Sequence, residues 1–351
     1  MKIVIDDKIP YIIGIIENFG INADVVYLPG KSFTRADVCN ADALIIRTRT
    51  HCDKELLEGS KVKLIATATI GYDHIDTKYC DEAGIYWTNC PGCNSESVAQ
   101  YMQSVLLLLK HEKGIDLKGL TLGVVGVGHV GSKVVAIGEK LGMKVLMCDP
   151  PRAKREGESS FCSMDEIVKL CDIVTFHTPL VRTGRCATYH LADKNFFDNL
   201  VRKTVIINTS RGEVVDNEAL LQAINDKKVI NAVIDVWENE PNILLPLLNK
   251  VFIGTPHIAG YAADGKANAT RMSLEAFCKF FNIDKVLHIT PTSPSINSIM
   301  AKDEEAALLQ IYNPHNDSDK LKAEPEKFEW FRGHYPLRRE RQAYKITYIG
   351  I

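Results

Sequence analysis

Residues 120–150 constrain the fold more than any other stretch, because they read as a strand, a glycine turn, a helix and a second strand. An apolar run from Leu120 to Val127 has the length of a strand, and the spacing Gly126-x-Gly128-x-x-Gly131 leads into a helix with one apolar face. Such a turn lets a pyrophosphate approach the backbone, and the free N–H groups of the helix N-terminus favour phosphate. The stretch therefore predicts a dinucleotide-binding βαβ unit.

Asp149 stands at the end of the second strand of this unit, where an acid can bind a ribose diol. A carboxylate at that place repels a 2′-phosphate, so the sequence favours NAD over NADP, although Arg152 and Arg155 weaken the preference. A lone glycine turn is often no more than a tight turn, but in this chain the strand, the helix and the acid are all in place. The cofactor-binding candidates in this unit are Gly126, Gly128, His129, Val130, Gly131 and Asp149.

Composition narrows the class of protein. The chain has 351 residues, 46% of them hydrophobic, and a formal net charge of −2, so it has room for two domains and no general affinity for nucleic acid or membrane surfaces. Ten scattered cysteines indicate reduced thiols and a cytoplasmic location, as does a start without a signal-like segment. The pair Cys90-x-x-Cys93 has no second pair at metal spacing, so we expect no metal site.

Strands and helices alternate along most of the chain, which predicts an α/β protein with parallel sheets. In the first part, strands are predicted at residues 2–5, 24–28, 43–47, 64–68 and 85–88, and helices at 10–19 and 76–83. This part lacks the glycine turn, so it is predicted to be the substrate half. A long helix at 264–281 is predicted to cross back to it from the cofactor half.

Polar residues follow the later predicted strands, at the edge where parallel sheets bind ligands. Thr178 follows the strand at 173–176, Arg211 follows the strand at 205–208, and His257 follows the strand at 251–254. Asp235 falls inside a strand predicted at 232–236. Because the carboxyl ends of parallel strands meet at one edge, we expect these side chains to lie in one place.

Arg211, Glu240 and His257 are the residue types that the oxidation of an alcohol beside a carboxylate requires. A guanidinium binds the planar carboxylate at two points, and an imidazole takes the hydroxyl proton as the hydride leaves. A carboxylate next to the imidazole orients the ring and favours its protonated form. Asp235 could accept a hydrogen bond from a nicotinamide carboxamide. Each residue alone could be an ordinary loop residue, so the interpretation depends on the whole set.

The segments GVGHVG, FHTPL, INTSRGEVVDNEAL, DVWENEP and TPHIAGY resemble the D-isomer-specific 2-hydroxyacid dehydrogenase family over about residues 40–281. The resemblance implies two doubly wound parallel-sheet domains, a Rossmann cofactor domain inserted in a flavodoxin-like substrate domain, with NAD as the cofactor. Further segments, among them NCPGCN, CDPPRA and FRGHYPLRRE, are similar to a branch that oxidises a phosphorylated 2-hydroxy acid. That branch adds a small α+β C-terminal dimerisation domain, which implies a homodimer.

Domain bounds and residue roles follow from the resemblance. It implies a substrate-binding domain of residues 1–93 and 265–284, an NAD-binding domain of residues 94–264 and a C-terminal dimerisation domain of residues 285–351. It places Arg211 and Glu240 as catalytic residues and His257 as the proton donor and acceptor. The NAD contacts that it implies are Asp149, Thr178, Thr209, Ser210, Arg211, Asp235 and Gly260. The substrate contacts that it implies are Thr48, Thr69 and Tyr261.

A substrate with a carboxylate and a phosphate needs two cationic anchors, and Arg211 supplies only one. Arg47 ends a predicted strand one residue before Thr48, so we expect it to bind the phosphate, with Arg338, Arg339 and Arg341 as second candidates. Two other functions stay open. The chain could be another family member, acting on 3-phosphoglycerate or glyoxylate, or an NAD(H)-sensing binding protein without turnover.

Overall fold

The computed structural model describes residues 1–349, and the chain divides into two compact units. The first unit is Met1–Asn94 with Ala262–Ser293, and the second is Ser95–Tyr261 with Pro294–Ile351. Each unit contains a wholly parallel sheet, which confirms the predicted α/β class. The three-domain division stays a prediction, and residues 350 and 351 of its last domain lie outside the described residues.

Strands and α-helices alternate along the described residues. In chain order the strands are β1 (Lys2–Asp6), β2 (Asp24–Leu28), β3 (Ala43–Ile46), β4 (Leu64–Thr67), β5 (Tyr86–Thr88), β6 (Thr121–Val125), β7 (Lys144–Cys148), β8 (Ile173–Phe176), β9 (Thr204–Asn208), β10 (Val229–Ile234), β11 (Ile253–Gly254), β12 (Ser298–Ala301) and β13 (Lys345–Tyr348). The α-helices are α1 (Arg35–Val38), α2 (Lys54–Leu57), α3 (Thr77–Ala83), α4 (Ser95–Lys113), α5 (His129–Lys140), α6 (Pro150–Glu156), α7 (Met164–Leu170), α8 (Lys194–Asp198), α9 (Asn217–Asn225), α10 (Leu245–Leu248), α11 (Ala263–Phe280), α12 (Glu304–Ile311), α13 (His315–Ala323) and α14 (Phe328–Gly333).

The first unit has a five-stranded sheet in the order β2-β1-β3-β4-β5. Its central strands β3 and β4 are buried along their whole length, as expected for parallel strands covered on both faces. The long helix α11 belongs to this unit, where the Thr270 hydroxyl donates to the Pro10 carbonyl at 2.7 Å. The helix predicted at 264–281 is therefore confirmed, within a residue at each end.

The helix predicted at residues 10–19 is wrong. Turns occupy most of this segment, and only Ile16–Phe19 forms a 3₁₀ turn. Tyr11 and Gly14 have φ angles of 65° and 78°, which a right-handed helix does not allow. The Gly14 N–H donates instead to the Tyr27 hydroxyl at 3.1 Å. The apolar spacing still predicted burial correctly, because Ile12, Ile16 and Phe19 lie in the core.

The second unit has a six-stranded sheet in the order β11-β10-β9-β8-β6-β7. Strand β6 is followed along the chain by β7 on one side and later by β8 on the other, so the winding reverses between β6 and β8. In such sheets ligands bind beyond the carboxyl ends of the strands at that point. One predicted bound is wrong: β10 ends at Ile234, so Asp235 follows the strand rather than lying inside it. The Asp235 carbonyl accepts from the His257 N–H at 2.7 Å, which joins the end of β10 to the loop after β11.

The C-terminal segment, residues 294–349, packs within the second unit. It contains α12 to α14 and a parallel pair of strands, β12 and β13. Helix α4 contacts it through two hydrogen bonds: the Ser97 hydroxyl donates to Glu340 at 2.7 Å and the Ser104 hydroxyl donates to the Tyr312 carbonyl at 2.9 Å. Within residues 1–349, no helix combines the length and the apolar character needed to cross a bilayer.

Cys90 and Cys93 both lie in the core of the first unit. Burial raises the pKa of each thiol to about 12, so both are protonated at neutral pH. The Cys90 thiol lies within hydrogen-bonding distance of the Thr67 and Ala269 carbonyls. A protonated, buried thiol is neither a good nucleophile nor a metal ligand, so the pair is part of the core packing.

We expect His74 to make the first unit sensitive to acid. Its ring is buried beside the Thr67 hydroxyl, at 3.0 Å, and burial lowers its pKa to about 4. The unfolded chain binds a proton below about pH 6.5 while the folded chain does not, so the stabilisation is present above that pH and is lost on acidification. Between pH 7.5 and pH 5 the loss should be about 2 kcal/mol.

Urea unfolding at the two pH values measures this effect. A His74→Gln variant cannot gain the charge, so its free energy of unfolding should fall less than that of the parent. The exposed His288 gives a matched control, His288→Gln, that should behave as the parent does. Equal losses in the parent and in His74→Gln would contradict the expectation.

Candidate active site

The predicted cofactor and catalytic residues of the second unit lie at one edge of its sheet. Strands β11, β10, β9, β8 and β6 are neighbours in that order, and all are parallel. Neighbouring strands lie about 4.8 Å apart, so the loops that leave their carboxyl ends are adjacent. The edge formed by these loops is the candidate active site of this unit.

The three glycines of the turn after β6 have different roles. Gly126 has a φ of 85°, and a Cβ atom there would lie 2.8 Å from the His177 carbonyl. A Cβ on Gly131 would lie 2.0 Å from the Gly126 carbonyl oxygen. Within the described residues, a Cβ on Gly128 would meet nothing within 4 Å, and no side chain caps the N-terminus of α5. The fold therefore requires Gly126 and Gly131, whereas Gly128 leaves open space at a helix N-terminus.

Substitution of the second and third glycines should separate binding from folding. We expect Gly131→Ala to lower the free energy of unfolding by about 1–3 kcal/mol, because the added methyl group overlaps the Gly126 carbonyl. Gly128→Ala should unfold like the parent but bind NAD roughly tenfold more weakly, about 1.4 kcal/mol. Urea unfolding without NAD and calorimetric titration with NAD measure the two quantities. A Gly128→Ala variant that binds NAD as the parent does would contradict this role.

Asp149 caps α6 and supports the glycine turn. Its carboxylate accepts from the Val127 N–H and from the Arg152 N–H, each at 2.9 Å. A carboxylate has about four acceptor positions, so two are left for a ribose diol. The Arg152 guanidinium donates to the Val127 carbonyl at 2.6 Å and to Glu156 at 2.8 Å. These bonds occupy Arg152 and make it less available to a 2′-phosphate.

The loop after β8 carries a polar atom that lacks a partner. Among the described residues, the buried Thr178 hydroxyl makes no hydrogen bond. The ring of His177 lies between two hydroxyls, 3.0 Å from Thr175 and 3.3 Å from Thr209, and burial lowers the pKa of His177 to about 3. The neutral ring, the unpartnered hydroxyl and the open space at Gly128 together fit a dinucleotide.

Asn208 organises the loop after β9, and the sequence did not single it out. Its side-chain oxygen accepts from the Ser210 N–H at 3.1 Å and the Ser210 hydroxyl at 2.8 Å, and its amide donates to the Arg211 carbonyl at 2.9 Å. Asn208 is fully buried at the end of an apolar strand. An asparagine at the end of an apolar strand could have indicated this role from the sequence, since a buried polar side chain needs hydrogen-bonding partners.

Gly212 brings this loop against the next one. A Cβ atom on Gly212 would lie 1.9 Å from the carbonyl oxygen of Trp237 and 2.7 Å from the Glu238 nitrogen. Only glycine permits that approach. The close packing fixes the backbone of Arg211 relative to the segment that carries Glu240.

Asp235 is the centre of a hydrogen-bond network beneath His257. Its carboxylate accepts from the Thr255 hydroxyl at 2.6 Å, the Ile258 N–H at 2.8 Å and the Ala259 N–H at 3.0 Å. The Tyr101 hydroxyl lies 2.9 Å from that of Thr255. Burial raises the pKa of Asp235, although these donors and the charge of His257 oppose the rise. The structure thus gives Asp235 a role in shaping the His257 loop, and its contact with a carboxamide stays a prediction.

His257 has a φ of 56°, which is unusual for a residue other than glycine. Such a conformation costs about 1–3 kcal/mol and persists only where the surroundings enforce it. The backbone N–H groups of His257, Ile258 and Ala259 all donate to Asp235, and these hydrogen bonds hold the conformation. The strained backbone therefore indicates a side chain held for function.

The imidazole of His257 is held by Glu240. Its Nδ1 lies 2.8 Å from Glu240 Oε2, and Glu240 Oε1 accepts from the Trp237 N–H at 2.9 Å. Burial would raise the pKa of Glu240, but His257, Trp237 and Arg332 together keep it below the usual value. An ionised carboxylate makes Nδ1 the hydrogen-bearing nitrogen, which leaves Nε2 free to accept a proton. The pair is arranged for general acid–base chemistry.

Arg338 is buried against the backbone that follows His257, which counts against its predicted role as a phosphate anchor. Its guanidinium is buried, donates to the carbonyls of Ala259 and, at 3.3 Å, of Ile258, and lies 4.2 Å from the Tyr312 ring centre. The FRGHYPLRRE segment suggested a cation without showing which way it faces. Arg338 instead binds the backbone of the His257 loop.

The remaining predicted substrate residues lie in two places. Tyr261 follows the His257 loop and Gly260, with its ring edge-on to Tyr335 at 5.9 Å. In the first unit, Thr48 is exposed just after β3, and Arg47 Nη1 donates to the Lys8 carbonyl at 2.9 Å. The Thr69 hydroxyl donates to the Gly71 carbonyl at 2.8 Å. Their contacts with substrate stay predictions.

Comparison with known proteins agrees with this geometry. Residues 96–259 match the family described as D-isomer specific 2-hydroxyacid dehydrogenase, NAD binding domain. The chain is 60% identical over 351 residues, all of both chains, to erythronate-4-phosphate dehydrogenase of Bacteroides thetaiotaomicron. It is 42% identical to the protein of the same name from Porphyromonas gingivalis, covering 99% of this chain and 95% of that protein.

Two of the solved structures that this chain resembles contain NAD. The D-lactate dehydrogenase of Aquifex aeolicus, complexed with NAD and lactic acid, superposes with a TM-score of 0.66 at 25% identity, covering 80% of this chain and 95% of that one. The NAD-bound 3-phosphoglycerate dehydrogenase of Entamoeba histolytica gives a TM-score of 0.66 at 25% identity, covering 82% of this chain and 99% of that one.

Proposed function

We propose, since this chain belongs to the D-isomer specific 2-hydroxyacid dehydrogenase family, that it oxidises 4-phospho-D-erythronate to 2-oxo-3-hydroxy-4-phosphobutanoate with NAD. The observation that carries the reaction type is the His257 imidazole, held by Glu240 at 2.8 Å beside the strand-end loops. The substrate follows from the name of the full-length relatives. The product of this reaction would enter the biosynthesis of pyridoxal 5′-phosphate, a form of vitamin B6.

Three side chains of the second unit perform the chemistry in this proposal. The Arg211 guanidinium binds the substrate carboxylate at two points and withdraws electron density from the adjacent carbon. His257 Nε2 takes the proton of the 2-hydroxyl group, while Glu240 holds Nδ1–H and stabilises the imidazolium that forms. NAD, when bound, accepts the hydride from C2. In the reverse direction His257 returns the proton.

The proposed NAD site combines the glycine turn with the neighbouring loops. Gly126, Gly128 and Gly131, with the N–H groups of His129 and Val130, would bind the pyrophosphate, and Asp149 would bind the ribose diol. The other residues proposed to contact NAD are Thr178, Thr209, Ser210, Arg211, Asp235 and Gly260. The supporting observations are the open space at Gly128 and the unpartnered Thr178 hydroxyl, both judged within residues 1–349.

Thr48, Thr69, Tyr261 and Arg47 are proposed to contact the substrate, with Arg47 on its phosphate. Arg47 Nη1 donates to the Lys8 carbonyl, and within the part of the chain that the structure describes its other guanidinium donors are available to a ligand. An Arg47→Ala variant should bind the phosphorylated acid more weakly by about 1.5–3 kcal/mol. The same variant should treat D-erythronate, which lacks the phosphate, almost as the parent does. Equal losses with the two acids, measured as KM and kcat/KM, would remove Arg47 from the phosphate site.

A steady-state assay tests the proposed function. NADH formation is followed at 340 nm with 4-phospho-D-erythronate, 3-phospho-D-glycerate, glycolate and D-lactate at matched concentrations. We expect the highest kcat/KM with 4-phospho-D-erythronate. A preference for 3-phosphoglycerate or glycolate would indicate another activity of the family. NAD binding by calorimetry without turnover of any acid would favour an NAD(H) sensor.

We further propose that the chain is a cytoplasmic homodimer joined through its C-terminal segment. Large apolar side chains of that segment are exposed, among them Met300, Trp330, Leu337 and Tyr348. Exposed apolar residues in such number within one small segment favour burial against a second copy. Light scattering coupled to gel filtration tests this, and a monomer at micromolar concentration would contradict it.

A further inference from the structure

Arg332 brings a positive charge from α14 to the catalytic pair. Its Nη1 lies 4.0 Å from Glu240 Oε2, the same oxygen that lies 2.8 Å from His257 Nδ1. Nη1 also donates to Glu329, one turn earlier in the helix, at 2.9 Å. The side chain is only 22% exposed, and its Nε makes no hydrogen bond among the described residues. The proposed reaction gives this buried cation no role.

The position of Arg332 gives it an effect through Glu240. Glu240 Oε2 is shared by two positive partners whenever the imidazole is protonated, and these partners repel each other. A guanidinium beside the carboxylate thus stabilises its ionised form and disfavours the imidazolium. Because both side chains are largely buried, this interaction is weakly screened by solvent.

We propose that Arg332 is a positioning residue whose charge, acting through Glu240, sets the pH at which His257 exchanges its proton. The C-terminal segment thereby tunes the catalytic pair, besides any part it has in dimer formation. The inference rests on the proposed function only in calling the pair catalytic. The electrostatic coupling of Arg332, Glu240 and His257 exists whatever the substrate is.

Other charged groups face this cluster and must be counted. Asp235 lies beneath the His257 backbone, and its carboxylate, like that of Glu240, attracts a positive charge on the His257 ring. Glu329 is paired with Arg332, and Tyr261 has its ring centre 6.0 Å from the Arg332 guanidinium carbon. Arg338 contacts the carbonyls that follow His257. Removing the charge of Arg332 and removing that of Glu329 should shift the pH at which His257 is protonated in opposite directions.

The experiment measures the protonation of His257 directly. The full-length chain, labelled with ¹³C-histidine, is titrated by NMR with and without NAD, and the His257 signal is assigned by its loss in His257→Asn. The variants are Arg332→Met, Arg332→Lys and Glu329→Gln. Lys302→Met serves as a charge control, because Lys302 lies in the same segment and its side chain is 66% exposed. The pH profile of kcat/KM for acid oxidation is the second readout.

In Arg332→Met the pH at which His257 is half protonated should rise by about 1 unit. The acid limb of the kcat/KM profile should shift to higher pH by the same amount. Arg332→Lys should keep the parent midpoint, since the charge is retained. Glu329→Gln should lower the midpoint by a smaller amount, because an anion is removed from a more exposed position. A loss of packing would not give opposite signs in variants one helical turn apart.

Three results would overturn the inference. The first is a midpoint that stays unchanged in both Arg332→Met and Glu329→Gln. The second is a shift of the same sign in both. The third is an unchanged midpoint in Arg332→Met together with a KM that is raised for the phosphorylated acid but not for the unphosphorylated one. That result would make Arg332 a substrate anchor. If no acid is turned over, the proposed function fails, whereas the NMR titration still decides the role of Arg332.

Discussion

Replacing His257 by asparagine should lower kcat for acid oxidation by a factor of about 10²–10⁴, the usual contribution of a general base. Asparagine accepts the positive φ of 56° at this position more readily than most residues, so the loop should keep its shape. It cannot take up a proton, and the hydroxyl of the substrate must then lose its proton to water. Steady-state kinetics with saturating NAD and varied acid measure the loss.

The control for this variant is the cofactor. The dissociation constant for NAD should stay within about threefold of the parent, less than 1 kcal/mol, because His257 is not among the proposed NAD contacts. Glu240→Gln should give a smaller loss of kcat, since the ring keeps a hydrogen-bonding partner but not a charged one. A His257→Asn variant that keeps a tenth or more of the parent kcat would remove His257 from the proton transfer.

Local sequence was sufficient for the dinucleotide-binding unit. Within β6, α5 and β7, each residue type has a local reason: apolar strands, glycines at a tight turn, and an acid at the next strand end. The strand ends that carry Arg211 and His257 were found in the same way, because parallel sheets collect such loops at one edge. These features depend on sequence neighbours and on a common topology.

Long-range contacts account for what the sequence did not reveal. Asn208, Asp235 and Arg332 owe their roles to contacts that the folded chain creates, and no spacing rule indicates that an arginine at 332 faces a carboxylate at 240. The helix predicted at residues 10–19 is wrong for a related reason. Its apolar spacing fits a helix, but Gly14 and Tyr27 fix a turn through a contact with a neighbouring strand. Sequence patterns predicted which residues are buried better than they predicted what those residues touch.

Gly212→Ala should have the second-largest effect, although no reacting atom is touched. The added methyl group would lie 1.9 Å from the Trp237 carbonyl oxygen, so one of the two backbones must move. Trp237 is fixed, because its indole N–H donates to the Thr255 carbonyl at 2.9 Å. Asn217 holds Glu238 by two hydrogen bonds, at 2.9 Å and 3.2 Å. The displacement therefore falls mainly on the backbone of Gly212 and Arg211.

A displacement of about 1 Å in a catalytic group can cost about 10²-fold in rate, so kcat/KM in Gly212→Ala should fall by about that factor. The free energy of unfolding should fall by about 1–3 kcal/mol, as in other overpacked sites. Gly333→Ala is the matched control, because its methyl group would meet no atom of the described residues within 4 Å, apart from its chain neighbours and the backbone of its own helix. That control should keep both quantities near the parent values. If Gly212→Ala lost stability but kept the parent kcat/KM, the contact would serve the fold alone, and Arg211 and Glu240 would be positioned independently of each other.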